Sequence, residues 1–215
     1  MVPAASPYEF NDEEPAGRWS RSRGARGPRR WPRILLVAIV LPLLLGAGVA
    51  AVLGRPVAFE AIRRLTVRKF PDVKWIGAAE LTRWLKDPGR PQPVVLDART
   101  ADEFAVSHLA GAVRIDPYRP LLRALRGVPK DTAIVVYCSV GYRSARVAHW
   151  LEGQGYTRVY NLEGSLFQWA NEERPVFRKN WPVNEVHPYD PTWGLLLEAR
   201  YRIDAPPVQK RSAAP

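Results

Sequence analysis

The chain has one cysteine, Cys138, and the residues after it, Ser139-Val140-Gly141-Tyr142-Arg143-Ser144, are the part of the sequence best suited to chemistry. The stretch lies between an apolar β-rich run, Ala133–Tyr137, and a helical pattern, Arg143–Gln154. A cysteine at such a turn meets free backbone N–H groups and the positive end of the helix dipole, both of which favour an anion. They lower the thiol pKa, and the thiolate is the nucleophile. Gly141 lets the loop curl so that several N–H groups point inward. Arg143 adds a fixed positive charge, and Ser144 either caps the helix or donates to the thiolate. A buried structural cysteine is the plainer reading of a lone Cys, but the Gly and Arg spacing favours catalysis over it.

Composition narrows the chemistry. One cysteine excludes a disulfide within the chain and a metal site built from cysteines alone. His108, His149 and His187 are far apart and form no metal-ligand pattern. A metal enzyme is therefore not expected, and chemistry at a low-pKa thiolate in an anion-binding loop needs no organic cofactor. The 215 residues leave room for one ordinary domain plus extras, and a hydrophobic content of 47% excludes a wholly disordered chain.

The elements that must position Cys138 follow from the pattern of the body. Ile76–Lys86 reads as a helix stopped by Asp87-Pro88-Gly89. Pro93–Asp97 and Ala112–Ile115 read as strands, Asp102–Ser107 as a short helix and Leu121–Arg126 as a helical turn. Ala133–Tyr137 is apolar throughout, as in the middle of a parallel sheet. Arg158–Asn161 is a further strand and Gly164–Asn171 a further helix. This alternation predicts an α/β fold with a mainly parallel sheet, whose ligands bind beyond the carboxyl ends of the strands. Cys138 directly follows the best strand.

Before the body, residues 1–33 form a disordered tail, acidic at Glu9 to Glu14 and then basic, with seven arginines between Arg18 and Arg33. Ile34–Leu53 holds 20 residues without a charge. That length of helix crosses the roughly 30 Å hydrocarbon core, so 34–53 is expected to be a transmembrane helix. A cleaved signal peptide is the competing reading. Five basic residues in 54–73 against seven on the other side favour a cytoplasmic N-terminus in a single-pass membrane protein, with the body on the opposite side. The net charge of +11 is therefore local, set against lipid rather than nucleic acid. Residues 54–71 are a juxtamembrane helix, lying on lipid headgroups or packing on the next domain.

The loop from Cys138 to Ser144 resembles the active-site loop of the rhodanese-like domain, pattern CxxGxRS. Val95-Leu96-Asp97-Ala98-Arg99, Asp102-Glu103-Phe104 and Ser107-His108-Leu109-Ala110-Gly111-Ala112 resemble that family's first signature. Gly164-Ser165-Leu166-Phe167-Gln168-Trp169 resembles its closing element, with Glu163 in place of the usual first glycine. The resemblance covers residues 72–178 and leaves 179–215 as a Pro-rich extension. Within that extension, Val186-His187-Pro188-Tyr189 and Trp193-Gly194 are similar to tails on some membrane-linked rhodanese proteins. The implied fold is doubly wound, with helices on both faces of the sheet and one transmembrane helix before it.

The resemblance implies sulfur transfer. Cys138 takes a sulfane sulfur from a small donor such as thiosulfate and passes the persulfide sulfur to a thiol, to cyanide or to a protein acceptor. It makes Cys138 the catalytic residue and Ser139, Val140, Gly141, Tyr142, Arg143 and Ser144 the anion loop. Four residues separate Cys138 from Arg143, one fewer than in phosphatases that resemble this fold, which favours sulfur over phosphate. Asp97, Arg99, Glu103 and His108 are expected to be supports: Asp97 receiving loop N–H groups, Arg99 and Glu103 an i,i+4 surface pair, His108 hydrogen-bonded inside the fold. A non-catalytic binding module and a dedicated persulfide carrier are the rival functions, and the intact Cys138 loop argues against the first.

Overall fold

A computed structural model describes residues 54–204 of the chain. The apolar run 34–53, the Arg-rich tail and residues 205–215 lie outside the described residues. Among the described residues no helix is long and apolar enough to cross a membrane.

Five parallel strands form the sheet: β1 (Lys74–Ile76), β2 (Val94–Asp97), β3 (Val113–Arg114), β4 (Ile134–Tyr137) and β5 (Val159–Leu162), in the order β1-β5-β4-β2-β3. Residues 54–69 are helical (α1). They are followed by α2 (Ala78–Lys86), α3 (Ala101–Val106), α4 (Tyr142–Gly153) and α5 (Ser165–Asn171).

Side-chain alternation along β4 explains why it is apolar at every position. Ile134, Val136 and Cys138 face one core with Ala145, Val147, Ala148 and Leu151 of α4. Val135 and Tyr137 face the other with Leu81 and Trp84 of α2 and Leu166 and Phe167 of α5. A central parallel strand is covered on both faces, so neither side can be polar. After β2 the chain adds β3 outward and then returns to place β4 on the other side of β2. The order therefore reverses between β2 and β4, where open α/β sheets form their ligand crevice.

Two expectations are corrected. Ile76 ends a strand rather than starting a helix: it pairs with Leu162, and Ala78 is the first helical residue. A boundary between 178 and 179 would cut a hairpin, because β6 (Val176–Arg178) pairs with β7 (Trp181–Val183). Val186, Leu197 and Tyr201 of the extension share the core that holds Val176 and Phe167. The extension is tied to α5 through Asn171, which accepts from Glu198 N and donates to Leu196 O, both at 2.8 Å.

The basic segment before the sheet packs on the domain. Thr66 is fully buried, and Phe70 and Val73 join the α4 core. Arg63 reaches Glu163 at 3.1 Å, and Lys69 donates to the Tyr142 hydroxyl at 2.7 Å.

Candidate active site

Cys138 is the first residue beyond β4, at the switch point, and its side chain is 1% exposed. Its backbone is held from beneath by the start of α5. The Cys138 N–H donates to Ser165 Oγ at 3.1 Å, and its carbonyl accepts from Leu166 N at 3.0 Å. Ser139 O accepts from Phe167 N at 3.0 Å.

The loop turns at Gly141, whose φ of 104° lies in the left-handed region that glycine reaches without a Cβ clash. Asn161 of β5 donates to the Gly141 carbonyl at 2.9 Å and fixes this turn. Gly141 N–H then points at the sulfur, 3.1 Å from Sγ. Gly141 is itself the N-cap of α4. Ser144 therefore does not cap the helix; it lies in the first turn, fully buried, its hydroxyl without a partner of good hydrogen-bond geometry.

Burial alone would push the Cys138 thiol pKa up. The Arg143 charge, the Ser144 hydroxyl and the N–H groups of Ser144 and Gly141 outweigh it, so the pKa lies below the ordinary thiol value.

Arg143 is not a free anion-binding fork. It donates to both oxygens of Glu103, at 2.8 and 2.7 Å, and to Ser139 Oγ at 2.9 Å. Its guanidinium also lies over the Tyr189 ring, 4.7 Å from the centroid. Glu103 is the third residue of α3 and closes a capping box with Thr100. The expected surface pair between Arg99 and Glu103 does not exist: both are fully buried, and each has another partner. Arg99 makes a bidentate pair with Asp97 at 2.7 to 3.1 Å and donates to Ser107 O. Asp97 also accepts from the Tyr137 hydroxyl at 2.6 Å, so its partners are side chains rather than loop N–H groups. A buried strand end with a carboxylate must have such partners, since an uncompensated charge there is costly.

His108 is stacked on Phe104 with ring centroids 4.2 Å apart, and its Nδ1 contacts Phe104 O at 3.1 Å. His149 is exposed, against Phe70.

Burial raises the Glu103 pKa, but its hydrogen bonds with Arg143 and that charge dominate, with Arg99 and the Thr100 N–H adding, and hold it at about 2 against an ordinary 4.5. A folded-state pKa below the unfolded one gives stability that is complete above the unfolded value and is lost as pH falls toward the folded one. About 3 kcal/mol should therefore disappear between roughly pH 5 and pH 2. Urea unfolding across that range would measure it, and a wild-type curve as flat as that of Glu103→Gln would refute the assignment.

A cleft of about 340 Å³ opens over the sulfur. Cys138, Ser139, Val140, Tyr142 and Arg143 line one part of it, and residues not foreseen from the sequence line the rest: Ile62, Leu65 and Thr66 of α1, and Tyr189 and Trp193 of the extension. The apolar spacing of Phe59, Ile62 and Leu65 and the paired aromatics of the tail were the available signals. Among the described residues no cluster of His, Cys, Asp or Glu could hold a metal ion.

The chain is similar to known proteins over the residues that form most of the sheet and the loop. The family model of the Rhodanese-like domain matches residues 78–172, from α2 through α5. A tRNA uridine(34) hydroxylase of Erwinia tasmaniensis is 32% identical over 105 residues, covering 46% of this chain and 29% of the relative. The Escherichia coli protein of that name is 29% identical over 106 residues, with 47% and 29% covered. The chain thus spans under a third of the length of these relatives. Among solved structures, a rhodanese-related protein of Thermoplasma volcanium is 27% identical with a TM-score of 0.42, covering 49% of this chain and 99% of that one. A rhodanese-like domain protein of Staphylococcus aureus is 28% identical with a TM-score of 0.40, covering 45% and 91%. Residues 78–172, with Cys138 at the carboxyl end of the central strand, match the rhodanese-like domain.

Proposed function

We propose that the protein is a membrane-anchored sulfurtransferase that carries a sulfane sulfur as a Cys138 persulfide. The observation that carries this reading is a buried thiol with a lowered pKa, held 3.1 Å from the Gly141 N–H at the floor of an open cleft. The thiolate attacks the outer sulfur of thiosulfate. The S–S bond of the donor breaks, sulfite leaves with the electron pair, and Cys138 keeps the sulfur. A thiolate or cyanide then attacks that outer sulfur, and Cys138 leaves as the thiolate. Ser144 and Gly141 are placed to stabilise the anion in both halves. The apolar run 34–53 supports a single-pass anchor with its N-terminus in the cytoplasm. Hydroxylation of tRNA, named for the relatives, is not carried over on less than a third of their length.

The test uses membranes from cells expressing the full chain, washed at alkaline pH. The protein should stay with the membranes, and thiosulfate should add one sulfur atom to Cys138 by mass spectrometry. Cyanide should remove that sulfur at the steady-state turnover rate. Persulfide formation with negligible turnover would make the protein a carrier for one acceptor. No adduct would refute sulfur transfer, and release by the wash would refute the anchor.

A further inference from the structure

Half of the wall over Cys138 comes from outside the matched domain, and that half is hydrocarbon. Ile62 and Leu65 of α1 stand on one side, and Tyr189 and Trp193 of the extension on the other. Polar groups along the wall are already engaged. Thr66 Oγ1 donates back to Ile62 O at 2.7 Å. Arg143 is taken up by Glu103 and Ser139. Lys69 sits at the rim, bonded to the Tyr142 hydroxyl and over its ring. Anion-stabilising groups are thus concentrated at the floor, around the sulfur. The volume of about 340 Å³ lies at the lower end of the range for small organic ligands, well above what a handful of atoms such as thiosulfate would fill.

The geometry points to α1 and the extension as specificity walls that select a donor by the hydrocarbon group carried on the sulfur next to its sulfane sulfur, as in an alkanethiosulfonate. This rests on the sulfur-transfer reading. For a thiosulfonate, the Cys138 thiolate attacks the outer sulfur and the bond to the sulfonyl sulfur breaks. The sulfinate leaves with the electron pair, so one anionic sulfur is made for each consumed. The hydrocarbon group lies along Leu65 and Trp193 while the reacting sulfur meets the Gly141 N–H.

A homologous series isolates the walls, because methane-, ethane- and butanethiosulfonate share the same leaving chemistry. With cyanide as acceptor and the full chain as enzyme, kcat/KM should rise about two- to fourfold per added methylene, the factor expected when each leaves water. Leu65→Asn and Trp193→Ser should flatten that rise. Leu65 is 62% exposed, so its replacement does not threaten the fold. A flat series in the wild type, with the Cys138 persulfide still formed from the methyl donor, would overturn the apolar donor and leave sulfur transfer standing. A rise that persists undiminished in both variants would overturn the assignment to these walls. A persulfide from none of the donors would overturn sulfur transfer and this inference together.

Discussion

Replacing Cys138 by serine should bring sulfur transfer down to the uncatalysed background, a fall of about a thousandfold or more. A serine hydroxyl cannot hold a persulfide, and removal of a covalent nucleophile is among the largest single losses known for enzymes. Stability should change by less than about 1 kcal/mol, since the loop does not depend on the sulfur. Its backbone bonds to Ser165 and Leu166 and the clamp of Asn161 on Gly141 all remain. Thiosulfate:cyanide turnover and urea unfolding, measured together, check both statements. Retained turnover would place the chemistry at another group, and no second thiol exists in the chain.

Glu103→Gln should have the largest effect on stability. The carboxylate accepts from Arg143, Ser139 and Thr100 and is fully buried. Its amide leaves the Arg143 charge uncompensated, and breaking one side of a buried pair costs about 3–5 kcal/mol. That is a large part of the roughly 5–15 kcal/mol typical of a folded domain. The thiol should respond with the opposite sign. Glu103 partly cancels the field of Arg143 at Cys138, so without it the Cys138 pKa should fall further, and iodoacetamide alkylation should reach half its plateau at lower pH. Adding Arg143→Met to Glu103→Gln should return much of the lost stability while raising the thiol pKa, since no unpaired guanidinium is then left buried beside the loop. A loss under about 1 kcal/mol with an unchanged alkylation profile would show that the pair does not couple to the site.

The parts of the fold legible from residues alone were those with strong local signals. β4 reads as a strand because four consecutive apolar residues are covered on both faces, and α4 because its buried positions repeat at helical spacing. β1 did not read as a strand: Lys74-Trp75-Ile76 is short, and Ile76 also fits the apolar face of the helix after it. The β6–β7 hairpin was hidden because its turn uses Lys179 at a φ of 56° where a glycine would have announced it. The loop itself was legible, since Cys138, Gly141 and Arg143 sit at a spacing that chemistry requires. The partners of its charges were not. Arg99 and Glu103 stand at i and i+4, which suggests a helical surface pair, yet Arg99 precedes α3 and turns back to Asp97. Glu103 turns toward a loop 40 residues on. Such pairings depend on where the sheet brings β2 and β4 together, which no local pattern encodes.

For the proposed sulfur transfer, the way the Cys138 loop is pinned decides how the two half-reactions would share the site. With its N–H and carbonyl both bonded to α5 and its turn clamped by β5, the loop cannot sink to make room for an added sulfur. The cargo must project outward, into the space where the donor stood. A loaded site and a bound donor are therefore mutually exclusive, and the acceptor has to come in by the route the spent donor has just left. Traffic at Cys138 is a queue of one, with excess donor and acceptor each blocking the other's turn.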